Sequence, residues 1–192
     1  FLKYYEKKII CESNAIVTLT KVSSELIREK YNLIESSTIF QSIPTCVNLN
    51  SNQNNRTFKK SSKINLTHLG AIGTRYNFIN YLELGKKIQK KRNVFFSIFN
   101  KDEHEYINNA LKEFKINEKD YKLQYVLPYN IDEHLKNVNI GVFFPIKGYY
   151  LNGYFPTKLG EFLSNGIPII TCKINRDVDS LIMENKIGLV ID

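Results

Sequence analysis

Cysteine is scarce. Cys11, Cys46 and Cys172 lie far apart, are odd in number, and form no C-x-x-C pair. Neither a zinc site nor a disulfide framework is indicated. Each sits beside or inside an apolar run and is expected as a small buried residue, which fits a reducing compartment. No apolar run approaches the roughly 18 residues of a membrane span, and the opening residues lack a signal-peptide pattern. No repeat recurs at a fixed period. Other absences exclude whole chemistries. Without G-x-x-x-x-G-K-[ST] there is no P-loop. Without G-x-S-x-G there is no nucleophile elbow. His68, His104 and His134 are not spaced as metal ligands and have no nucleophile beside them, so no metal is expected. His68 reads as packed inside a strand, and His104 and His134 as exposed on charged helices. The RNA-recognition and zinc-finger patterns are missing, and the lysines are not confined to one helix, which argues against nucleic acid.

What is present is a chain able to fold. It has 192 residues, 43% of them hydrophobic, with 12 Tyr and 12 Phe. That is enough apolar surface for a core. The net charge is +8, with runs at Lys7-Lys8, Lys59-Lys60 and Lys86 to Arg92. An anionic membrane or a phosphorylated substrate would fit that charge. So would a general bias toward Lys, Asn and Ile. The chain does not open on methionine. It starts as if in mid-helix and ends on a strand, so it reads as a piece cut at both ends.

Residues 1–12 read as a helix, Ala15 to Thr20 as a buried strand, Val22 to Tyr31 as a helix, and Thr38 to Ile43 as a short strand. Ser23 or Ser24 is expected near the start of the second helix. The stretch 48–62 is rich in Asn and Ser and holds no large apolar residue except Leu49 and Phe58, so it reads as a linker. Beyond it the order becomes regular. Strands are expected at Ile64–Leu69, Val94–Phe99, Lys122–Leu127, Asn139–Phe144, Ile167–Thr171 and Ile187–Ile191. Helices are expected at Arg75–Lys91, Asp102–Phe114, Ile131–Asn137, Thr157–Asn165 and Asp177–Asn185. This alternation implies an α/β fold: a Rossmann-like parallel sheet with helices on both faces. Residues 1–47 would be the end of a second α/β domain, and 63–192 the main one.

Open parallel sheets bind ligands beyond the carboxyl ends of their strands. The first such loop is Gly70-Ala71-Ile72-Gly73-Thr74-Arg75. Two glycines let a ligand approach the backbone, but the G-x-x-G spacing is only part of a dinucleotide fingerprint. Arg75, expected at a helix start, could pair a diphosphate or simply be exposed. The second loop precedes Thr157–Asn165, with Pro156 before the helix and Gly166 after it. Leu159, Phe162 and Leu163 make an apolar face, which leaves Thr157, Lys158 and Glu161 on the other side. These three could be a solvated face or an anion site at a helix N-terminus.

Three segments together resemble the family 4 glycosyltransferases, retaining enzymes of the GT-B architecture. Ile43-Pro44-Thr45-Cys46-Val47-Asn48 looks like the hinge I-P-x-x-V-D, with Asn48 in place of Asp. His68 to Tyr76 looks like the loop L-G-S-x-G-T-W-Y. Pro156 to Pro168 looks like the donor motif P-x-K-x-x-E-x-x-x-x-G-x-P. The resemblance covers nearly the whole chain. It implies that 1–47 are the C-terminal remnant of an acceptor domain with the hinge. Residues 63–192 would be the donor-binding domain, truncated at its C-terminus. It also implies that Glu161 holds the ribose of a nucleotide sugar and that Thr157, Lys158 and Arg75 meet the diphosphate. Lys158 and Arg75 would carry the catalysis. Gly70, Ala71 and Gly73 would approach the donor, and Leu127, Pro128 and Tyr129 would border the base. The acceptor would be a glycan or a lipid-linked sugar, and no cofactor would be needed. The enzyme would be cytoplasmic, with contact to the inner membrane face. Two positions depart from the pattern. Gly153 stands where a second glutamate is often found, and Ala71 where a basic residue is often found. A nucleotide-binding module without transferase activity, or an epimerase of the same architecture, remains open.

Overall fold

A computed structural model describes residues 2–48 and 62–192. Most of the expected linker lies outside the described residues.

The main body is a six-stranded sheet. Its strands are β3 (Lys63–Leu69), β4 (Asn93–Phe99), β5 (Tyr121–Gln124), β6 (Ile140–Phe143), β7 (Ile169–Cys172) and β8 (Gly188–Ile191). Their order is β5-β4-β3-β6-β7-β8, and every neighbouring pair is parallel. The sequence order reverses direction between β3 and β6, so the loops after these two strands diverge and leave a crevice at the carboxyl edge. Strands β4 and β6 are nearly continuous in apolar residues because both faces are covered, whereas β3 carries Asn65, Thr67 and His68. Leu66, Phe96, Ile98 and Val142 pack with α3 (Phe78–Gln89) and α4 (His104–Glu113) on one face. Leu69, Phe99, Phe143 and Ile169 pack with α5 (Ile131–Leu135), α6 (Thr157–Ser164) and α7 (Arg176–Glu184) on the other.

Before this body, α1 (Leu2–Glu12) buries no residue, and β1 (Ala15–Thr18) pairs in parallel with β2 (Ile39–Ser42) across α2 (Lys21–Lys30). The small sheet is tied to the large one. The Asp177 carboxylate accepts from the free N–H groups of Lys21 and Val22 at the start of α2. Thr20 Oγ1 donates to the Asn152 carbonyl at 2.5 Å, and Thr45 Oγ1 to that of Phe155 at 2.8 Å. Arg176 forks onto Glu25 at 2.6 and 2.7 Å.

Several boundaries move from expectation for local reasons. Helix α2 is capped by Thr20, which accepts from Ser23 N at 3.0 Å, and not by Ser23 or Ser24. Helix α3 starts at Phe78 and not at Arg75. Tyr76 forms an antiparallel bridge with Pro145, and Asn77 then caps the helix by accepting from Asn80 N. Strand β5 stops at Gln124, whose carbonyl accepts from Asn100 N at 3.1 Å. Gly166 does end α6, at φ +63°, where any side chain would be strained. The cysteines are not buried: Cys11 and Cys46 are exposed and Cys172 is intermediate. Among the described residues no helix is long and apolar enough to cross a membrane.

Candidate functional site

The site forms where β3 and β6 part. Leu69 ends β3 and Gly70 turns the chain at φ +91°. Its N–H donates to Phe99 O at 2.8 Å, and its carbonyl accepts from Asn100 Nδ2 at 3.2 Å. The Glu103 carboxylate takes the Ile72 N–H at 3.0 Å, while Glu103 N donates to Asn100 Oδ1 at 2.8 Å. Asn100 and Glu103 therefore hold the loop 70–73 rigid from the next strand. Gly73, at φ +81°, donates to Tyr76 O at 3.2 Å. Beneath the loop, His68 is fully buried. One ring nitrogen, Nε2, meets Ala71 O at 3.3 Å, and the other, Nδ1, has no partner. Burial, helped by the positive charge of Lys158, holds its pKa down to about 3, so the ring is neutral.

Helix α6 supplies the other wall. It starts after Pro156, and no side chain caps its first N–H groups. Lys158, in its first turn, is only 7% exposed. Its ammonium lies 3.4 Å from the centroid of the Tyr76 ring and 5.8 Å from that of Phe143. Among the described residues it has no hydrogen-bond partner. It also faces Gly70: a Cβ built there would stand 3.5 Å from Nζ. A side chain at position 70 would crowd the cation. Burial lowers the Lys158 pKa from 10.5 to about 7, against the pull of Glu161 and Glu103. One turn on, Glu161 is half-buried, and burial raises its carboxyl pKa while Lys158 opposes the rise. Tyr76 is fixed from its far end, because its hydroxyl is hydrogen-bonded to that of Tyr154. Burial raises both phenols, and Arg75 acts in the opposite direction on each.

These features make a cleft wall with one desolvated cation, one half-buried carboxylate, a helix N-terminus and a glycine turn. Such a wall can accept a multiply charged anion and, beside it, a hydroxyl-rich group. Among the described residues no group of three or more His, Cys, Asp or Glu is placed to hold a metal ion.

No family model matches the chain, and no curated protein matches it in sequence. Solved structures do match it in shape. TarM superposes with a TM-score of 0.71 at 15% identity, over 99% of this chain and 36% of its own. The pneumococcal O-GlcNAc transferase GtfA, in complex with UDP and GlcNAc, gives 0.59 at 14% identity, over 90% and 32%. The UDP-forming α,α-trehalose-phosphate synthase of Burkholderia vietnamiensis gives 0.68 at 7% identity, over 97% and 50%. The sheet is a GT-B glycosyltransferase fold. The chain spans a third to a half of the length of these GT-B proteins.

Within this GT-B fold the residues singled out from sequence fall into two groups. Gly70, Lys158 and Glu161 come together as one wall. Thr157 and Ala71 are exposed at its rim, and Gly73 lies at the far end of the glycine loop. Arg75 is exposed on the loop, where its carbonyl accepts from Ile146 N at 2.9 Å. It is not at a helix start, so it gains nothing from a helix N-terminus. Tyr129 is 77% exposed on the turn after β5. Lys158 is the main surprise. It does not share an open polar face with Thr157 and Glu161 but is buried like Leu159, because Tyr76, Phe143 and the Gly70 turn enclose it. His104 and His134 are half-buried and not exposed. His104 bonds to Asn100 O at 2.9 Å, and His134 Nδ1 to Gln124 Nε2 at 2.8 Å.

Sequence reading missed Asn100, Glu103, Tyr76 and Tyr154 as parts of this wall. For Asn100 and Glu103 a signal existed. Asn-x-x-Glu just after a strand has the spacing of a helix-start box. The tyrosines gave none, since they meet across 78 positions.

Proposed function

We propose that this carboxyl edge binds the diphosphate of a nucleotide sugar, as the donor half of a retaining, family 4-type glycosyltransferase. The observation that carries this reading is Lys158. Its ammonium is desolvated, unpartnered and aimed at a glycine turn. A buried cation without a counter-ion is costly, and a diphosphate would supply one. The uncapped start of α6 adds N–H groups and a partial positive charge beside it. Glu161, one turn away, would accept from the ribose hydroxyls. Thr157 and Arg75 would meet the outer phosphate oxygens from the rim, and Tyr129 would border the base.

When the glycosyl bond breaks, negative charge grows on the leaving diphosphate. Lys158, Arg75 and the helix N–H groups are the groups that would stabilise it, with no metal taking part. Transfer with retention to a glycan or a lipid-linked acceptor, at the inner face of a membrane, completes the proposal. An acceptor wall would come from outside residues 63–192. The boundaries 1–47, 48–62 and 63–192 are proposed as acceptor-domain remnant with hinge, linker, and donor domain. The chain alone should bind donor weakly and transfer nothing.

A second reading, a nucleotide-binding module without transfer, draws on position 153. Gly153 closes a turn against Ser23 and offers no carboxylate. Calorimetric titration of the chain with UDP, GDP and CMP sugars tests the donor assignment. Binding of one nucleotide class, weakened at least tenfold in Glu161→Ala, is expected. Equal binding by wild type and variant would remove Glu161 from the ribose role.

A further inference from the structure

Two buried side-chain atoms have no hydrogen-bond partner among the described residues, His68 Nδ1 and Lys158 Nζ. Both belong to the site, but only the lysine carries a charge. What holds that charge in place is therefore the open question. It is not an ion pair. Glu161 and Glu103 act on it through space only, and neither is bonded to it. It is not a hydrogen bond to the backbone either. The contacts that remain are ring faces: Tyr76, 3.4 Å from the ammonium, and more distantly Phe143, at 5.8 Å.

We propose that Tyr76 is the positioning residue for Lys158, keeping its ammonium aimed at Gly70 and unneutralised until an anion arrives. An aromatic face suits this task. It attracts a cation through the ring quadrupole but brings no formal negative charge. A carboxylate in the same place would neutralise the lysine and compete with the incoming anion. The ring itself is held at three points. Its backbone bridges to Pro145. Its carbonyl accepts from Gly73 N at 3.2 Å, which ties it to the glycine loop. Its hydroxyl meets that of Tyr154, just after the 3-10 turn Tyr149–Gly153. His68 backs it, with ring centroids 5.9 Å apart and nearly perpendicular. At 8% exposure, the ring is not a surface group that happens to lie near a lysine. The same placement accounts for Gly70, since a side chain there would meet Nζ.

This inference rests on the diphosphate reading above, so its test has two readouts. The first needs no ligand. With selectively labelled lysine, the Cε protons of Lys158 should show an upfield ring-current shift in the wild-type chain. Tyr76→Phe should keep that shift, and Tyr76→Leu should remove most of it, leaving only the smaller contribution of Phe143. The second is the affinity for UDP at pH 7. A loss of about tenfold is expected in Tyr76→Leu, with most of the affinity retained in Tyr76→Phe, in line with a partly desolvated cation–π contact. Combined with Lys158→Met, Tyr76→Leu should cost nothing further, because the positioned group is already gone. Thermal unfolding and circular dichroism identify variants that fail to fold. Tyr154→Phe, which removes only the hydroxyl bond, then provides a milder probe, and it should weaken UDP binding about two- to threefold. An unshifted Lys158 signal in the wild type, or an undiminished Tyr76→Leu effect in the Lys158→Met background, would overturn the proposal. A ring-current shift that behaves as expected in a chain that binds neither UDP nor GDP would keep the positioning role and refute the diphosphate reading.

Discussion

Replacing Lys158 by methionine should make the protein more stable and weaken nucleotide binding without abolishing it. Methionine is unbranched, apolar and close in length, so it can occupy the same slot between Tyr76 and Phe143. The stability gain follows from proton linkage. In the unfolded chain this lysine holds its proton up to its ordinary value of 10.5, and in the folded chain only up to about 7. Between those values the unfolded state carries more protons than the native state, so stability rises with pH across that window. Below about pH 7 the folded chain bears the full cost of a buried charge. That cost is about 5 kcal/mol, at about 1.4 kcal/mol per pKa unit. The Tyr76 ring returns about 1 kcal/mol, which leaves a net penalty of about 4 kcal/mol. At roughly 2–4 °C per kcal/mol for a chain of this size, Lys158→Met should melt roughly 8–16 °C higher at pH 6. The difference should shrink as the pH approaches 10. Differential scanning calorimetry at pH 6, 8 and 10, paired with UDP titration, is the assay. A lower melting temperature, a pH-independent difference, or undiminished UDP binding would each refute the reasoning. A site that weakens the fold in order to bind is the expected pattern for functional residues.

Three other expectations concern different parts of the molecule. Gly85→Ala should destabilise by roughly 1–3 kcal/mol or more in urea unfolding, because its Cβ would stand 2.1 Å from the ring of the fully buried Phe96. Asp177→Ala should cost about 1 kcal/mol and speed amide exchange at Lys21 and Val22, since it removes the cap that the large sheet lends to α2. The run Lys86, Lys87, Lys90, Lys91 and Arg92 closes α3 and leads into β4, at the sheet edge opposite the site. It should make the chain sediment with anionic vesicles and release it on the order of 0.3 M salt. Equal retention of Lys90→Glu/Lys91→Glu would exclude this edge as the contact.

Much of the architecture was legible before folding. The alternation of β-branched runs with 3.6-period helices requires a parallel sheet covered on both faces, because a crossover helix must bury its stripe on the sheet it leaves. Pro156 and Gly166 marked α6 because each imposes its own backbone angles. The points of failure were those set by partners distant in sequence. Arg75 looked like a helix start until Tyr76 paired with Pro145 across the edge. Ser23 or Ser24 was expected near the start of α2, and both lie in its first turn, but the cap is Thr20, which also reaches Asn152. The cysteines looked buried because apolar neighbours in sequence are not apolar neighbours in space.

Lys158 divides most clearly into these two parts. Its place in the chain, just after a helix start and three residues before Glu161, is local information and was readable from the sequence. So was the glycine at position 70. Whether the lysine would be a solvated surface group or a desolvated, unpaired cation depended on Tyr76, Phe143 and Gly70. These residues lie on other strands and loops, as many as 88 positions away. Desolvation is a property of what surrounds a group in three dimensions, so only the tertiary structure could decide it.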